Sequence, residues 1–422
     1  MTMLHCNKSF SKMTTTITEY GGYIPPKRTA SKSAARVFPQ PLFVSPISHT
    51  GSEDRQPATN LYFSELWPLF YLLKLLGVFP YYVSSSGKLA FKLMSMTTLY
   101  ATASTTVTTV GSILTIIQKY SKLSAEKMKF EDAIVQINLF GGFFFIAILP
   151  FVYYTETRKR IQFINRWGIF QEEFRRVTGK TVDLGLGRRA RFFVVMSLHF
   201  SVFGVISLGV LVGGFSWWQY CISGLFETML LLMPAVWYLT CRGLIRAAKA
   251  LGNEVEQNLL HHGFRHTDAL VQFKFLWLHL SKLTQDAGRS MGFTYGVFTL
   301  FCFGGLVVSS YGYFVSGIIL ITQGLAFTAF FFSTILYVQC TFAQLATEEV
   351  GSKFQDRVQI ILEKYPLISG TQEEIHRFLA MICSNPPVIN FCGFVDINRG
   401  LITSLMSQTL TYLIVMTQIN KN

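Results

Sequence analysis

Glu227 is the single acidic residue within seven long stretches of this sequence that contain no Lys or Arg. A carboxyl among Leu, Met and Phe side chains has two uses. It carries protons or ions, as in a secondary transporter, or it locks neighbouring helices through a hydrogen bond. The last of these stretches, 400–420, holds a second constellation. Thr403, Ser407, Thr411 and Gln418 recur at spacings of four, four and seven, with Ser404, Gln408 and Met416 beside them. A polar stripe on an apolar helix must face protein, water or a pore, so these groups either bond adjacent helices or line an aqueous path. A third set clusters at the ends of the stretches: Asn138, Trp217, Trp218, Tyr220, Tyr311, Tyr313 and Gln323. Such residues form an interfacial aromatic belt or line an apolar pocket with few polar groups. Enzyme chemistry has little support. No Gly-x-Ser-x-Gly, P-loop, Cys-x-x-Cys or dinucleotide fingerprint occurs, and the histidines between His261 and His266 lack Cys or carboxylate partners at zinc spacing. They read as a solvated helix end, and neither metal nor cofactor is expected.

The elements that position these residues follow from composition. Half of the 422 residues are hydrophobic, 39 are Phe, and 14% are charged, against about 25% in a typical soluble chain. Mean hydropathy is +0.37. These values exclude a disordered chain and point to an all-α, polytopic membrane protein. The seven stretches run over 93–117, 133–155, 192–215, 217–241, 291–311, 317–346 and 400–420. Each approaches or exceeds the roughly 20 residues needed to cross the hydrocarbon core. The net charge of +14 reads as basic cytoplasmic loops rather than a nucleic-acid surface, so no nucleic-acid partner is expected. If alternate connections share a side, 32 of the 37 Lys and Arg fall on one side and 5 on the other. The positive-inside rule makes the richer side cytoplasmic, with the N-terminus inside and the C-terminus outside. G-protein-coupled receptors have the opposite parity, and their Asp-Arg-Tyr and Asn-Pro-x-x-Tyr signatures are missing. The seven cysteines do not resemble a secreted disulfide framework.

The segment 61–83 is long enough to span but carries Lys74 at its middle, which costs about 2.5–3.5 kcal/mol at a bilayer centre. An interfacial helix ending at Pro80 is the favoured reading, a true span the alternative. Apolar periodicity extends the second span through 157–177, the fourth through 243–261, and begins the fifth early over 268–283. Thr371 and Glu374 suggest a capping box for a helix over 373–383, ended by Pro386-Pro387.

The run Thr411-Tyr412-Leu413-Ile414-Val415-Met416-Thr417-Gln418 resembles the hallmark of insect gustatory receptors: Thr-Tyr, five mostly apolar residues, Gln, then Phe. Here Thr417 takes the fifth apolar place and Ile419 replaces the Phe. The stretches at 68–80 and 392–399 are similar to the same family. The resemblance implies a ligand-gated, non-selective cation channel assembled as a homo- or hetero-tetramer with related receptors. It would sit in the plasma membrane of chemosensory neurons, in contact with lipid. Its small-molecule tastant would occupy an outer-facing pocket, and its seventh helix would line the pore. Thr411, Tyr412, Val415, Met416, Gln418 and Ile419 are then pore or gate residues. Four Gln418 amides would hydrate cations, and a ring of Met416 or Ile419 would close by dewetting. Asn138, Trp217, Trp218, Tyr220, Glu227, Tyr311, Tyr313 and Gln323 are the ligand-site candidates. Sugar receptors of this family typically have Glu after Thr-Tyr, where Leu413 stands here, leaving bitter-type compounds, fructose or carbon dioxide as ligands. The implied layout is a disordered cytoplasmic tail at 1–60, an interfacial helix and linker at 61–87, a six-helix ligand-binding bundle at 88–346, cytoplasmic anchor helices at 347–399, and the pore helix with a short tail at 400–422. The rivals are a secondary transporter using Glu227 and a non-conducting receptor or scaffold.

Overall fold

Long Lys- and Arg-free runs fold as helices because a buried or lipid-facing backbone must satisfy its own hydrogen bonds. The computed structural model describes residues 60–85, 87–125, 130–211, 215–261, 267–315, 319–364 and 369–419, all within one unit, Ala58–Asn422. The tail expected at 1–60 lies, Asn60 apart, outside the described residues. Ten helices occur among the described residues. They are α1 (Leu61–Leu75), α2 (Met96–Ala125), α3 (Phe130–Thr178), α4 (Gly187–Leu211), α5 (Trp217–His261), α6 (Thr267–Val315), α7 (Ile319–Val350), α8 (Ser352–Lys364), α9 (Ser369–Ser384) and α10 (Arg399–Ile419). Two hairpins of two-residue strands complete the set: β1 (Tyr82–Val83) with β2 (Leu89–Ala90), and β3 (Asn390–Phe391) with β4 (Val395–Asp396).

Seven helical stretches, within α2 to α8 and α10, are long and apolar enough to cross a membrane. The expected extensions are continuous with their spans. α3 and α6 each run 49 residues, about 73 Å, more than twice the hydrocarbon thickness. Their excess length, with that of α5, packs at the basic end of the bundle around Trp167, Trp237 and Trp277, all fully buried. Two indoles are satisfied there: Trp237 Nε1 donates to the Gln339 carbonyl and Trp277 Nε1 to that of Val350, each at 2.9 Å. Elsewhere α2 and α4 expose Leu99, Val107, Phe192, Phe203 and Ile206, as lipid-facing helices do.

α1 has 15 residues, about 22 Å, short of a span. It packs against α3, α4 and α5. Tyr62 stacks on Trp167 with centroids 4.7 Å apart, and its hydroxyl lies 2.9 Å from Thr240 Oγ1. Glu65 accepts the amides of Leu186 and Gly187, capping α4. The helix ends five residues before Pro80. Gly77, at φ +73°, closes a Schellman turn in which Gly77 N bonds Lys74 O and Val78 N bonds Leu73 O, each at 3.0 Å. The expected capping box is also corrected. α9 begins at Ser369, so Thr371 lies inside the helix, and Glu374 pairs with Arg377 at 2.7 Å.

Candidate functional site

At the end opposite the basic one, α3 and α6 meet at Asn138. Ser309 Oγ donates to Asn138 Oδ1 at 3.4 Å, while Asn138 Nδ2 is shielded from solvent with no partner. Gln136 Oε1 and Ser112 Oγ are shielded and unpaired too. Such groups cost about 1–3 kcal/mol each unless a ligand or water completes them. Toward the basic end, phenyl rings from four helices interlock. Phe301 stacks on Phe145 at 4.4 Å and meets Phe226 at 5.8 Å and Phe332 at 5.5 Å edge-on. Gly142 seats the Phe226 ring, and Gly305 that of Phe332.

The other ligand-site candidates spread around α5, α6 and α7. Trp218 and Tyr220 are half-buried, facing Gly111 of α2 and Gly209 of α4 respectively. Glu227 is half-buried against Gly204 of α4, without a hydrogen-bond partner among the described residues. Tyr311 is half-buried two residues beyond Ser309, whereas Trp217, Tyr313 and Gln323 are exposed. Asn138 is thus joined by a hydrogen bond to the facing long helix.

α10 touches the bundle along one stripe. Ile402, Leu405, Met406, Thr409 and Leu413 face α6 and α7, with Thr409 5% and Leu413 9% exposed. The rest of the helix is open: Thr403, Ser404, Ser407, Gln408, Thr411 and Gln418 among the polar residues, Leu410, Tyr412, Ile414, Val415 and Met416 among the apolar. Thr403, Ser404 and Thr411 return their hydroxyls to the carbonyl four residues earlier, which satisfies each without a second helix. Ile419 ends the helix.

A polar junction at the basic end was not singled out from the sequence. Glu156 of α3 is 2% exposed and Arg160, one turn on, 5%. Glu156 Oε1 accepts the Phe293 amide at 2.8 Å. Its Oε2 accepts the Thr294 amide at 3.0 Å and hydroxyl at 2.5 Å. Arg160 Nη2 lies 3.3 Å from the carboxylate and donates to Thr294 Oγ1, with its guanidinium 3.4 Å from the Tyr153 ring centroid. Arg160 Nε has no partner, and Arg160 lines a cavity of about 20 Å³ with Tyr62, Phe163, Thr240 and Met291, room for one water. The usable signal was Glu156 with Arg160 four residues later, just beyond an apolar run. Nearby, burial and then the Glu156 charge push the Cys392 thiol up. Burial likewise raises Tyr62, and lifts Tyr81 to about 12.

Residues 66–422 match the family model described as 7tm Chemosensory receptor. The chain belongs to the 7tm chemosensory receptor family. As a chemosensory receptor it is a multi-pass membrane protein and not an enzyme. It is 29% identical to gustatory and odorant receptor 24 of Anopheles gambiae over 94% of this chain and 87% of that one. Identity to gustatory and odorant receptor 21a of Drosophila melanogaster is 26%, over 72% and 68%. The fold is similar to that of the insect olfactory receptor OR5 from Machilis hrabei, with TM-score 0.62 and 12% identity over 85% of this receptor and 99% of OR5. A second OR5 structure, in complex with eugenol, gives TM-score 0.61 at 11% identity, over the same shares.

Proposed function

We propose that this receptor is a ligand-gated, non-selective cation channel whose pore is lined by α10 from four copies of this chain or of related receptors. One observation carries the reading. α10 is apolar enough to span yet is held along a single stripe, leaving Thr403, Ser407, Thr411 and Gln418 open to water or to neighbouring copies. The Ser407, Gln408 and Gln418 side chains on that open side have no intrahelical bond among the described residues, which suits them poorly to lipid, and a ring of such faces forms a hydrated path. The basic end is cytoplasmic, with the N-terminus inside, because the bulk of the Lys and Arg gathers there. The ligand site lies at the opposite, outer end around Asn138 and Ser309, where a donor waits unpaired above the phenyl cluster. The segments 88–346, 347–399 and 400–422 then act as ligand-binding bundle, anchor and pore, and chemosensory neurons are the expected site of expression.

The ligand is a small volatile molecule. The relatives' names join taste to odour, and an odorant must be volatile enough to leave its source. Of the classes raised by the sequence, carbon dioxide fits best, since fructose is not volatile and the interlocked rings leave little room for a bulky bitter compound. The test is whole-cell current in cells expressing only this chain during pulses of carbon dioxide, fructose and bitter compounds. A ligand-dependent cation current reversing near zero supports the reading. Current to fructose or bitter compounds alone overturns the ligand assignment. A transporter reading rests on the unpartnered Glu227 and predicts saturable uptake abolished by Glu227→Gln, without unitary conductance steps.

A further inference from the structure

Ser281, Gln285, Gly288 and Gly292 of α6 recur at spacings of four, three and four, which keeps them on one helical face over about 16 Å. All four grip the chain that leads into α10. Ser281 Oγ donates to the Asn385 carbonyl and Gln285 Nε2 to that of Pro386, each at 3.0 Å. At Gly288 the β3 backbone comes so near that a Cβ would stand 2.5 Å from Asn390 O and 2.8 Å from Asn390 N. At Gly292 a Cβ would stand 2.8 Å from Cys392 N and 3.1 Å from Phe391 Cα. No side chain larger than hydrogen fits either position without moving the hairpin.

The hairpin is otherwise well secured. Phe391 is buried between Trp237 and Tyr295 at 5.3 and 6.3 Å. Asn390 Nδ2 donates across it to Asp396 Oδ1 at 2.7 Å. Asn398 then caps α10 by accepting the Leu401 amide at 3.1 Å, and Gln344 of α7 accepts the Arg399 amide at 2.8 Å. The start of α10 is therefore fixed to α6 and α7, whereas most of its outer half is open. α6 reaches from this cradle to Ser309, beside Asn138, as one unbroken helix.

We infer that Gly288 and Gly292 are positioning residues for gating: they seat the 390–396 hairpin on α6, so that a shift of α6 moves the base of the pore helix. This rests on the reading of α10 as the pore helix. Coupling between the sites is then carried by one rigid element and one close backbone contact, a physical connection that mutation can test.

The experiment displaces the hairpin and follows the ligand response. Gly292→Ala puts a Cβ 2.8 Å from Cys392 N and 3.1 Å from Phe391 Cα, so the hairpin must shift on α6. In protein at the cell surface the half-maximal ligand concentration should rise at least about fivefold, with the reversal potential unchanged. An unshifted dose response at equal surface expression overturns the inference. Asn390→Ala, which cuts the bond across the hairpin, gives a second reading. It should shift the half-maximal ligand concentration at least about fivefold at equal surface expression, and no shift overturns the inference. If the parent chain conducts no ligand-evoked current, the pore reading itself has failed, a result separable from a conducting receptor whose dose response is unmoved.

Discussion

Glu156 and Thr294 are joined by two hydrogen bonds to a single oxygen. Glu156 Oε2 accepts the Thr294 hydroxyl at 2.5 Å and its amide at 3.0 Å, midway along α6. Helix-interior amides ordinarily bond the carbonyl four residues back, so a carboxylate reaching them ties α3 to the backbone of α6 itself. The same two helices meet again at Asn138 and Ser309. α3 and α6 are thus pinned at both levels, and the pair should move as a unit.

Removing one partner of this buried pair leaves the other uncompensated. Glu156→Ala should cost about 3–5 kcal/mol, lowering the melting temperature in detergent and depleting the cell surface. Glu156→Ala combined with Arg160→Leu should recover part of that loss, because the unpaired guanidinium is gone. Equal stability of the single and double variants would mean that the charge pair contributes nothing beyond the amide bonds.

Asn138→Ala removes the unpaired donor proposed to meet the ligand. The half-maximal concentration should rise about tenfold, one hydrogen bond of roughly 1–1.5 kcal/mol, with ion permeability unchanged. An unaltered dose response would place the ligand elsewhere.

Phe332 fills the space over Gly305 and meets Phe301 edge-on. Phe332→Ala should cost about 3–5 kcal/mol in stability and open a void beneath Asn138. Larger volatiles should then activate the receptor relative to the small native ligand, measured as a ratio of maximal currents. A narrowed or unchanged ligand range would separate this cluster from selectivity.

Gly77→Ala tests how α1 is held. The residue sits at φ +73°, and a Cβ would lie 2.6 Å from Ser104 Cβ. The strain should cost about 1–3 kcal/mol, read as a lower melting temperature. A neutral substitution would show that the turn and α2 adjust freely.

The long helices were legible because the exclusion of Lys and Arg marks membrane crossings, and apolar periodicity carried α3, α5 and α6 past them. Polar punctuation was harder. Pro80 reads as the stop for α1, yet a glycine in the left-handed region three residues earlier ends it. Thr371 has capping-box spacing but lies within α9. The 390–396 hairpin was invisible because two-residue strands have no periodicity to detect. Glu156 carries little signal because it stands one residue beyond an apolar run, where a charge on a helix reads as solvated. The open face of α10 was legible in its Thr, Ser and Gln spacing. Asn138 was picked out by residue type, but its partner Ser309 was not, since a lone serine in an apolar helix carries no signal.

If the open face of α10 lines the pore, a charged reagent in the outer solution must reach cysteines placed on that face and not those on the packed stripe. Thr411 is exposed, whereas Thr409, half a turn away, is 5% exposed. Each would be changed to Cys in a background with Cys221 and Cys392 replaced by Ser, and a charged methanethiosulfonate applied from outside during ligand-evoked current. Thr411→Cys should be blocked rapidly and in a ligand-dependent way, and Thr409→Cys not at all. Equal insensitivity of both variants in a conducting receptor, with labelling of Thr411→Cys verified, would contradict a pore lined by this face.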